Sequence, residues 1–202
     1  MDQDQASREL AAIRQLMERP VRFSTASGLS GILAGLAALC GVAADSYVCR
    51  QFGAASARWM NLLVWAGVFI VAFVAAVVLT RIREAQRGMA FWSPVKRRIL
   101  RTILPPFIAG AGLTAVIVAR WHLQMDNQWG LIPAIWMLCY GLALWQVGEF
   151  SILEMRLLGL TFLLAGLVAA GLAQDCPYWA MGITFGGFHI MYGAIVWIRH
   201  GG

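Results

Sequence analysis

Six long stretches of this sequence carry no charged residue, and they constrain the fold more than any other feature. Each is mostly apolar, and they cover residues 23–44, 59–80, 102–119, 127–148, 157–174 and 176–198. A helix that crosses about 30 Å of hydrocarbon needs about 20 apolar residues, with roughly 17–25 tolerated. A membrane β-barrel would instead show short alternating segments. The sequence therefore predicts an all-α, polytopic membrane protein, a bundle of six transmembrane helices.

The predicted transmembrane domain covers residues 23–202, and a different kind of segment, 1–22, precedes it. Leu10, Ile13 and Met17 recur at spacings of three and four, which places one apolar stripe on an otherwise polar helix. Such a helix lies on a membrane surface, docks on a partner protein or packs against the protein's own loops. We therefore expect 1–22 to be a short cytoplasmic amphipathic helix.

The basic residues are divided unevenly between the two sides of the predicted bundle. Of the 16 Lys and Arg residues, only Arg50, Arg58 and Arg120 fall on one side. The positive-inside rule places the more basic side in the cytoplasm. The sequence thus predicts a multi-pass protein of the bacterial cytoplasmic (inner) membrane with both termini cytoplasmic. The net charge is +6, but in a membrane protein the placement of the basic residues matters more, so a nucleic acid is not expected as a partner.

The second loop is the most basic segment, and it predicts contacts with anionic lipid headgroups. Ser93 and Pro94 suit the N-cap and the first turn of a helix, and Pro105 and Pro106 are expected to open the third transmembrane helix. Each basic residue near the surface is worth about 1 kcal/mol of attraction to an anionic membrane. The residues to which we assign this role are Lys96, Arg97, Arg98 and Arg101. Topological anchoring alone is the alternative explanation.

The cysteines predict no metal or redox motif. Cys49 and Cys176 fall in predicted outward-facing loops, where an oxidising compartment permits a disulfide, and unpaired thiols are the alternative. The sequence contains no CxxC motif, which removes support for a zinc or redox site. We therefore predict no metal site.

Small residues recur at four-residue spacing in two of the predicted helices. Ser27, Gly31 and Gly35 form one series, and Gly182 and Gly186 form another. This spacing lets helix backbones approach closely. It predicts close packing within the bundle or, alternatively, a homo-oligomer that forms through these faces.

One ionisable side chain, that of His189, is predicted to lie well inside a span. Ionisable residues inside membranes are costly, so each is a candidate functional residue. Tyr192 follows on nearly the same helical face, and Tyr140 of the fourth helix is expected at a similar depth, with Gln146 and Glu149 nearer the cytoplasm. These five residues form the candidate intramembrane polar site.

His189 has three alternative roles. It is a structural residue bonded to a tyrosine or a carbonyl, it lines a path for a small molecule or a proton, or it ligates a haem. No Ser-His-Asp set, HExxH motif or glycine-rich phosphate loop with lysine is present. We therefore expect no catalytic activity, and no cofactor is predicted.

The chain resembles a group of uncharacterised bacterial six-helix membrane proteins. The resemblance rests on the segments 13–19 (IRQLMER), 27–35 (SGLSGILAG) and 189–193 (HIMYG). It implies the six-helix architecture, and it implies no activity because none is established for the group.

Three functions remain open from the sequence. The first is a regulatory or interaction component that binds a cytoplasmic protein through segment 1–22 and the basic loop. The second is a small transporter or permeation pathway that uses His189. The third is an electron-transfer subunit that binds haem or quinone.

Overall fold

The computed structural model describes residues 27–86, 88, 92–125, 128–172 and 177–200, so the predicted helix 1–22 lies outside the described residues. Every regular element in the described part of the chain is helical, which confirms the all-α fold. Within these ranges, six helices are long and apolar enough to cross a membrane. They are α1 (Gly28–Phe52), α2 (Ala57–Gln86), α3 (Pro94–His122), α4 (Leu131–Gly148), α5 (Leu153–Leu172) and α6 (residues 177–200).

The helices α1 and α2 form an antiparallel hairpin, although helical backbone continues from Gly28 to Gln86. A Cβ atom on Gly41 would lie 2.6 Å from Cγ2 of Val68, 27 positions further along the chain. In a straight helix those residues would be about 40 Å apart, at 1.5 Å per residue. The chain therefore reverses direction between Phe52 and Ala57.

Three tryptophans mark the end of the bundle at which α1 and α2 are joined, which we call the α1–α2 end. The rings of Trp59, Trp121 and Trp129 contact one another edge to face, with centroids 5.5 to 6.4 Å apart. They belong to the start of α2, the end of α3 and the residues before α4. The opposite end, where α2 approaches α3, is the α2–α3 end.

Glycines bring α1 and α6 into backbone contact. A Cβ atom on Gly28 would lie 2.5 Å from the carbonyl oxygen of Gly193, and one on Gly35 would lie 2.6 Å from that of Gly186. Only glycine allows so close an approach. The predicted close packing of the small residues therefore occurs between helices of the same chain, while an oligomer stays a prediction.

The hairpin of α4 and α5 supplies the best-packed part of the core. A Cβ atom on Gly141 would lie 2.9 Å from the carbonyl oxygen of Gly159, so these helices also touch through glycine. Beside this contact, the side chains of Met137 and Phe162 have no exposed surface. This hairpin supplies Phe162, one of the rings that surround the candidate site.

The start of α3 lies earlier than expected. Ser93 is the N-cap, with its hydroxyl accepting a hydrogen bond from the Lys96 N–H at 3.3 Å, and Pro94 occupies the first turn, as predicted. Pro105 and Pro106 lie inside α3 and do not open it, so that prediction was wrong. The cap fixes the start of α3 at Pro94, before the basic residues of the loop. The uncharged window begins only at residue 102, so it did not indicate this earlier start.

A largely buried ion pair joins α2 to α3. The Lys96 ammonium contacts the Glu84 carboxylate, and the two side chains are 13% and 4% exposed. The pair links the last turns of α2 to the first turn of α3 across the intervening loop. Elsewhere the surface is strongly apolar, as the exposed Leu63, Val71 and Ile198 illustrate.

Candidate functional site

His189 and Tyr140 form a hydrogen-bonded pair inside the bundle. The Tyr140 hydroxyl oxygen lies 2.7 Å from Nε2 of His189, and His189 is only 6% exposed. Tyr140 comes from the middle of α4 and His189 from the middle of α6. Their predicted similar depth is what allows the two side chains to meet.

Aromatic rings enclose this pair. The Phe185 ring is stacked on the imidazole with a centroid separation of 5.9 Å and an interplanar angle of 10°. The Phe162 ring meets the imidazole edge to face at 5.3 Å and meets the Tyr140 ring at 4.9 Å. The surroundings are therefore apolar, and every polar atom of the pair depends on a partner within the bundle.

A π-helical turn, Gly182–Phe188, directly precedes His189 in α6. Such turns are rare and frequently occur at functional sites, because the i→i+5 bonding displaces carbonyl groups from the regular ladder. The carbonyl groups of Thr184 and Phe185 face the imidazole, although Nδ1 of His189 completes no hydrogen bond of good geometry. Carbonyls near Nδ1 favour the tautomer with the proton on Nδ1, so the Tyr140 hydroxyl donates to Nε2.

Tyr192 lies beside the pair, one turn further along α6. Its hydroxyl is buried and has no hydrogen-bond partner among the described residues. It interacts electrostatically with Tyr140 on one side and with Glu154 of α5 on the other. Glu154 in turn accepts a hydrogen bond from Arg199 at 3.1 Å. Tyr192 thus stands between the buried pair and an ion pair at the α2–α3 end.

The other two residues of the candidate site lie elsewhere. Glu149 is at the turn between α4 and α5, where its exposed carboxylate pairs with Arg156 at 3.0 Å. Gln146 is half-buried, and no hydrogen bond joins it to the pair within the described residues. The carboxylate near the site is that of Glu154, in the first turn of α5. Counting depth along one helix gives no information about the direction of a side chain around it.

A second polar cluster at the α1–α2 end was missed. Asp45 and Asn61 are 4% and 3% exposed, and one oxygen of each has no hydrogen-bond partner. Trp65 and Tyr178 are stacked beside them, with ring centroids 6.3 Å apart. The uncharged window ended at residue 44, which placed Asp45 in a loop. In the structure α1 continues to Phe52, and Asp45 faces the interior.

The basic loop divides into an internal and an external part. Lys96 is paired with Glu84, and the Arg98 guanidinium lies over the Phe150 ring, 4.6 Å from its centroid. Arg97 and Arg101 line a groove of about 480 Å³ together with Trp92. Four residues were predicted to contact lipid headgroups. Of these, Lys96 mainly forms a contact inside the protein.

The predicted Cys49–Cys176 disulfide stays a prediction, because Cys176 lies outside the described residues. The Cys49 thiol is within 3.5 Å of the Asn61 amide nitrogen. In the described part of the chain, no three His, Cys, Asp or Glu side chains are grouped so that they could hold a metal ion.

The surroundings of His189 do not fit axial ligation of a haem. Its Nε2 is engaged by Tyr140, and the carbonyls of the π-helical turn face the other side of the ring. The rings of Phe162 and Phe185 occupy the space beside the imidazole.

No protein-family model, curated protein or solved structure matches the chain. The resemblance to six-helix bacterial membrane proteins stays a prediction. Function is therefore inferred from the chemistry of the described residues.

Proposed function

We propose that the protein is a permeation pathway for protons across a membrane, with His189 as the proton-exchanging group. One observation carries the proposal: a buried imidazole that is hydrogen-bonded at Nε2 to Tyr140 and has no completed hydrogen bond at Nδ1. A purely structural histidine is expected to have both ring nitrogens satisfied.

The chemistry of the pair suits proton transfer. Imidazole is the side chain whose two nitrogens can accept a proton on one side and release one on the other near neutral pH. The Tyr140 hydroxyl donates to Nε2 and can receive a replacement proton from a neighbouring group. The buried Tyr192 hydroxyl, which is near Tyr140, provides such a neighbour.

Polar groups extend from the pair toward both ends of the bundle. Toward the α2–α3 end, Tyr192 is followed by the carboxylate of Glu154. Toward the α1–α2 end, the buried Thr184 hydroxyl lies between His189 and Tyr178, although it bonds to the carbonyls of its own helix. Tyr178 and His189 are separated by at most about 16 Å, at 1.5 Å per residue. Water or side-chain motion must bridge these gaps, so we expect a slow pathway.

The proposal includes a location and an orientation. Six apolar helices with apolar side chains on the outer surface suit a multi-pass protein. The basic residues at the α2–α3 end support placement of that end in the cytoplasm of a bacterium under the positive-inside rule. Protons would then move between the α1–α2 end outside and the α2–α3 end inside.

Proton entry into reconstituted vesicles tests the function. Purified protein is incorporated into liposomes that contain a pH-sensitive dye, and a potassium diffusion potential drives protons inward. We expect wild-type vesicles to acidify faster than protein-free vesicles, and His189→Ala to abolish the difference. His122→Ala, at the end of α3, is the matched control and should retain wild-type flux. Wild-type flux equal to that of protein-free vesicles would overturn the proposal.

One observation supports a second candidate function, in which the protein is an interaction component. The groove at the α2–α3 end presents an exposed Trp92 beside three guanidinium groups, those of Arg97, Arg98 and Arg101. Such a surface suits anionic headgroups or an acidic partner segment. If this function holds, deleting residues 1–19 abolishes association with a cytoplasmic protein while the bundle still inserts. Co-purification of the same proteins with the truncated chain would contradict it.

A further inference from the structure

We infer that Asp45 is a second proton-binding group, a neutral carboxylic acid held inside the bundle near the α1–α2 end. The inference rests on the proposed function in one respect, that the proton it holds belongs to the same pathway as His189. The binding of the proton itself rests on the packing around Asp45 alone.

The helix registers place Asp45 where three helices meet. In the α1–α2 hairpin, Gly41 lies beside Val68 and Cys49 beside Asn61. Position 45, midway between Gly41 and Cys49, is therefore opposite position 64 or 65.

The register of α1 against α6 gives an independent indication. Gly35 lies beside Gly186 and Val42 beside Gly182. The same antiparallel register continues to the neighbourhood of Tyr178, with which Asp45 interacts electrostatically. Asp45 therefore faces the stacked rings of Trp65 and Tyr178.

The cluster has an unequal supply of donors and acceptors. Oδ1 of Asp45 and Oδ1 of Asn61 are both buried and unpartnered, and both only accept hydrogen bonds when the carboxyl is ionised. The indole N–H of Trp65 is a buried, unpartnered donor in the same cluster, so two acceptors stand against one donor. The Asn61 amide nitrogen is already directed to the Cys49 thiol and toward the Tyr178 hydroxyl. A proton on the Asp45 carboxyl adds a second donor, which can reach an acceptor such as Asn61 Oδ1.

Among the described residues, no positive charge forms an ion pair with Asp45. The carboxyl forms no salt bridge with any described residue, and the groups around it are Cys49 of α1, Asn61 and Trp65 of α2, and Tyr178 of α6. Arg58 of α2 acts on Tyr178, but its guanidinium lies over the Trp121 ring, 5.4 Å from the centroid. An unpaired carboxylate in an apolar interior is strongly unfavourable, and the group takes up a proton instead. If α1 spans the membrane, the protonated Asp45 carboxyl holds a proton at one end of the pathway.

Infrared spectroscopy of the full-length protein in lipid bilayers tests the inference. Exposed carboxyl groups are ionised at neutral pH, and the little-exposed carboxylates of Glu84 and Glu154 are each paired with a cation. Among the described residues, the C=O stretch of a protonated carboxyl should therefore come from Asp45. We expect this band in the wild-type spectrum at neutral pH, its shift in D₂O, its loss in Asp45→Asn, and its decrease when the pH is raised. Glu149→Gln, which changes an exposed carboxylate, should leave the band unchanged.

The outcomes separate this inference from the proposed function. Absence of the band in the folded wild-type protein, or its persistence in Asp45→Asn, would overturn the assignment of the proton to Asp45. A band whose intensity does not change with pH until the protein unfolds would show that the carboxyl is a permanently protonated structural group. This result would also overturn the inference. Vesicles that pass no protons, together with a band that depends on Asp45 and on pH, would contradict the proposed function and leave the proton-binding group in place.

Discussion

The hydroxyl of Tyr140 lies 2.7 Å from Nε2 of His189, and this bond joins α4 to α6 across the centre of the bundle. Both side chains are surrounded by aromatic rings, so neither can exchange its partner for solvent without rearrangement of the core.

Replacing Tyr140 with Phe removes the hydroxyl and leaves Nε2 of His189 buried without a partner. We expect the free energy of unfolding to fall by about 1–3 kcal/mol, the usual effect of an unsatisfied buried polar atom. Denaturation of the protein in mixed micelles measures this loss. Tyr47→Phe is the matched control, because Tyr47 is 62% exposed. A loss as large in the control as in Tyr140→Phe would contradict a specific role for the bond.

The glycine contact between α1 and α6 predicts opposite signs for two Gly→Ala substitutions. A Cβ atom at Gly35 would lie 2.6 Å from a backbone oxygen of α6, so Gly35→Ala should destabilise the fold; overpacking costs typically about 1–3 kcal/mol. At Gly67 nothing lies within 4 Å of the added atom, and Gly67→Ala should stabilise its helix by about 0.5–1 kcal/mol. Thermal unfolding in detergent gives both values. Equal effects would show that the α1–α6 contact is looser than described.

The ion pair between Glu84 and Lys96 should contribute far more than the exposed pair between Glu149 and Arg156. Glu84→Gln leaves a largely buried ammonium without its carboxylate, and breaking a buried pair in this way costs about 3–5 kcal/mol. Glu149→Gln breaks a solvent-exposed pair that is worth about 0–1 kcal/mol. The difference is measured from the unfolding free energies of the two variants. Similar losses would indicate that Glu84 is accessible to water.

Cysteine cross-linking tests the α1–α2 hairpin. In a background without the native cysteines, Gly41→Cys combined with Val68→Cys should form a disulfide readily, because the two positions are in contact. The control combines Gly41→Cys with Ile70→Cys, since Ile70 is 58% exposed and, two residues from Val68, lies on the opposite face of α2. Mass spectrometry after mild oxidation detects the bond. Equal yields from the two pairs would argue against the described register.

The six helices could be predicted from the sequence because runs of about 20 uncharged residues have few other stable structures. Tyr140 could be predicted as the neighbour of His189 because both lie at a similar distance from the same end of the bundle. Asp45 could not, since a search for uncharged windows excludes a carboxyl group that faces the protein interior. The π-helical turn before His189 could not be predicted from the sequence either. The segment Gly182–Phe188 is compatible with an ordinary α-helix, and tertiary packing selects the wider turn. The position of Glu154 near Tyr192 depends on side-chain direction, which depth alone does not give.

The most direct test of the proton pathway is a double-mutant cycle on proton entry into vesicles. His189→Ala, Tyr140→Phe and the double variant are reconstituted at equal density beside the wild-type protein, with circular dichroism confirming that each is folded. If the pair acts as one unit, each single variant loses most of the flux and the double variant loses no more than His189→Ala alone. Wild-type flux that survives His189→Ala in a folded protein would contradict the central role of this histidine.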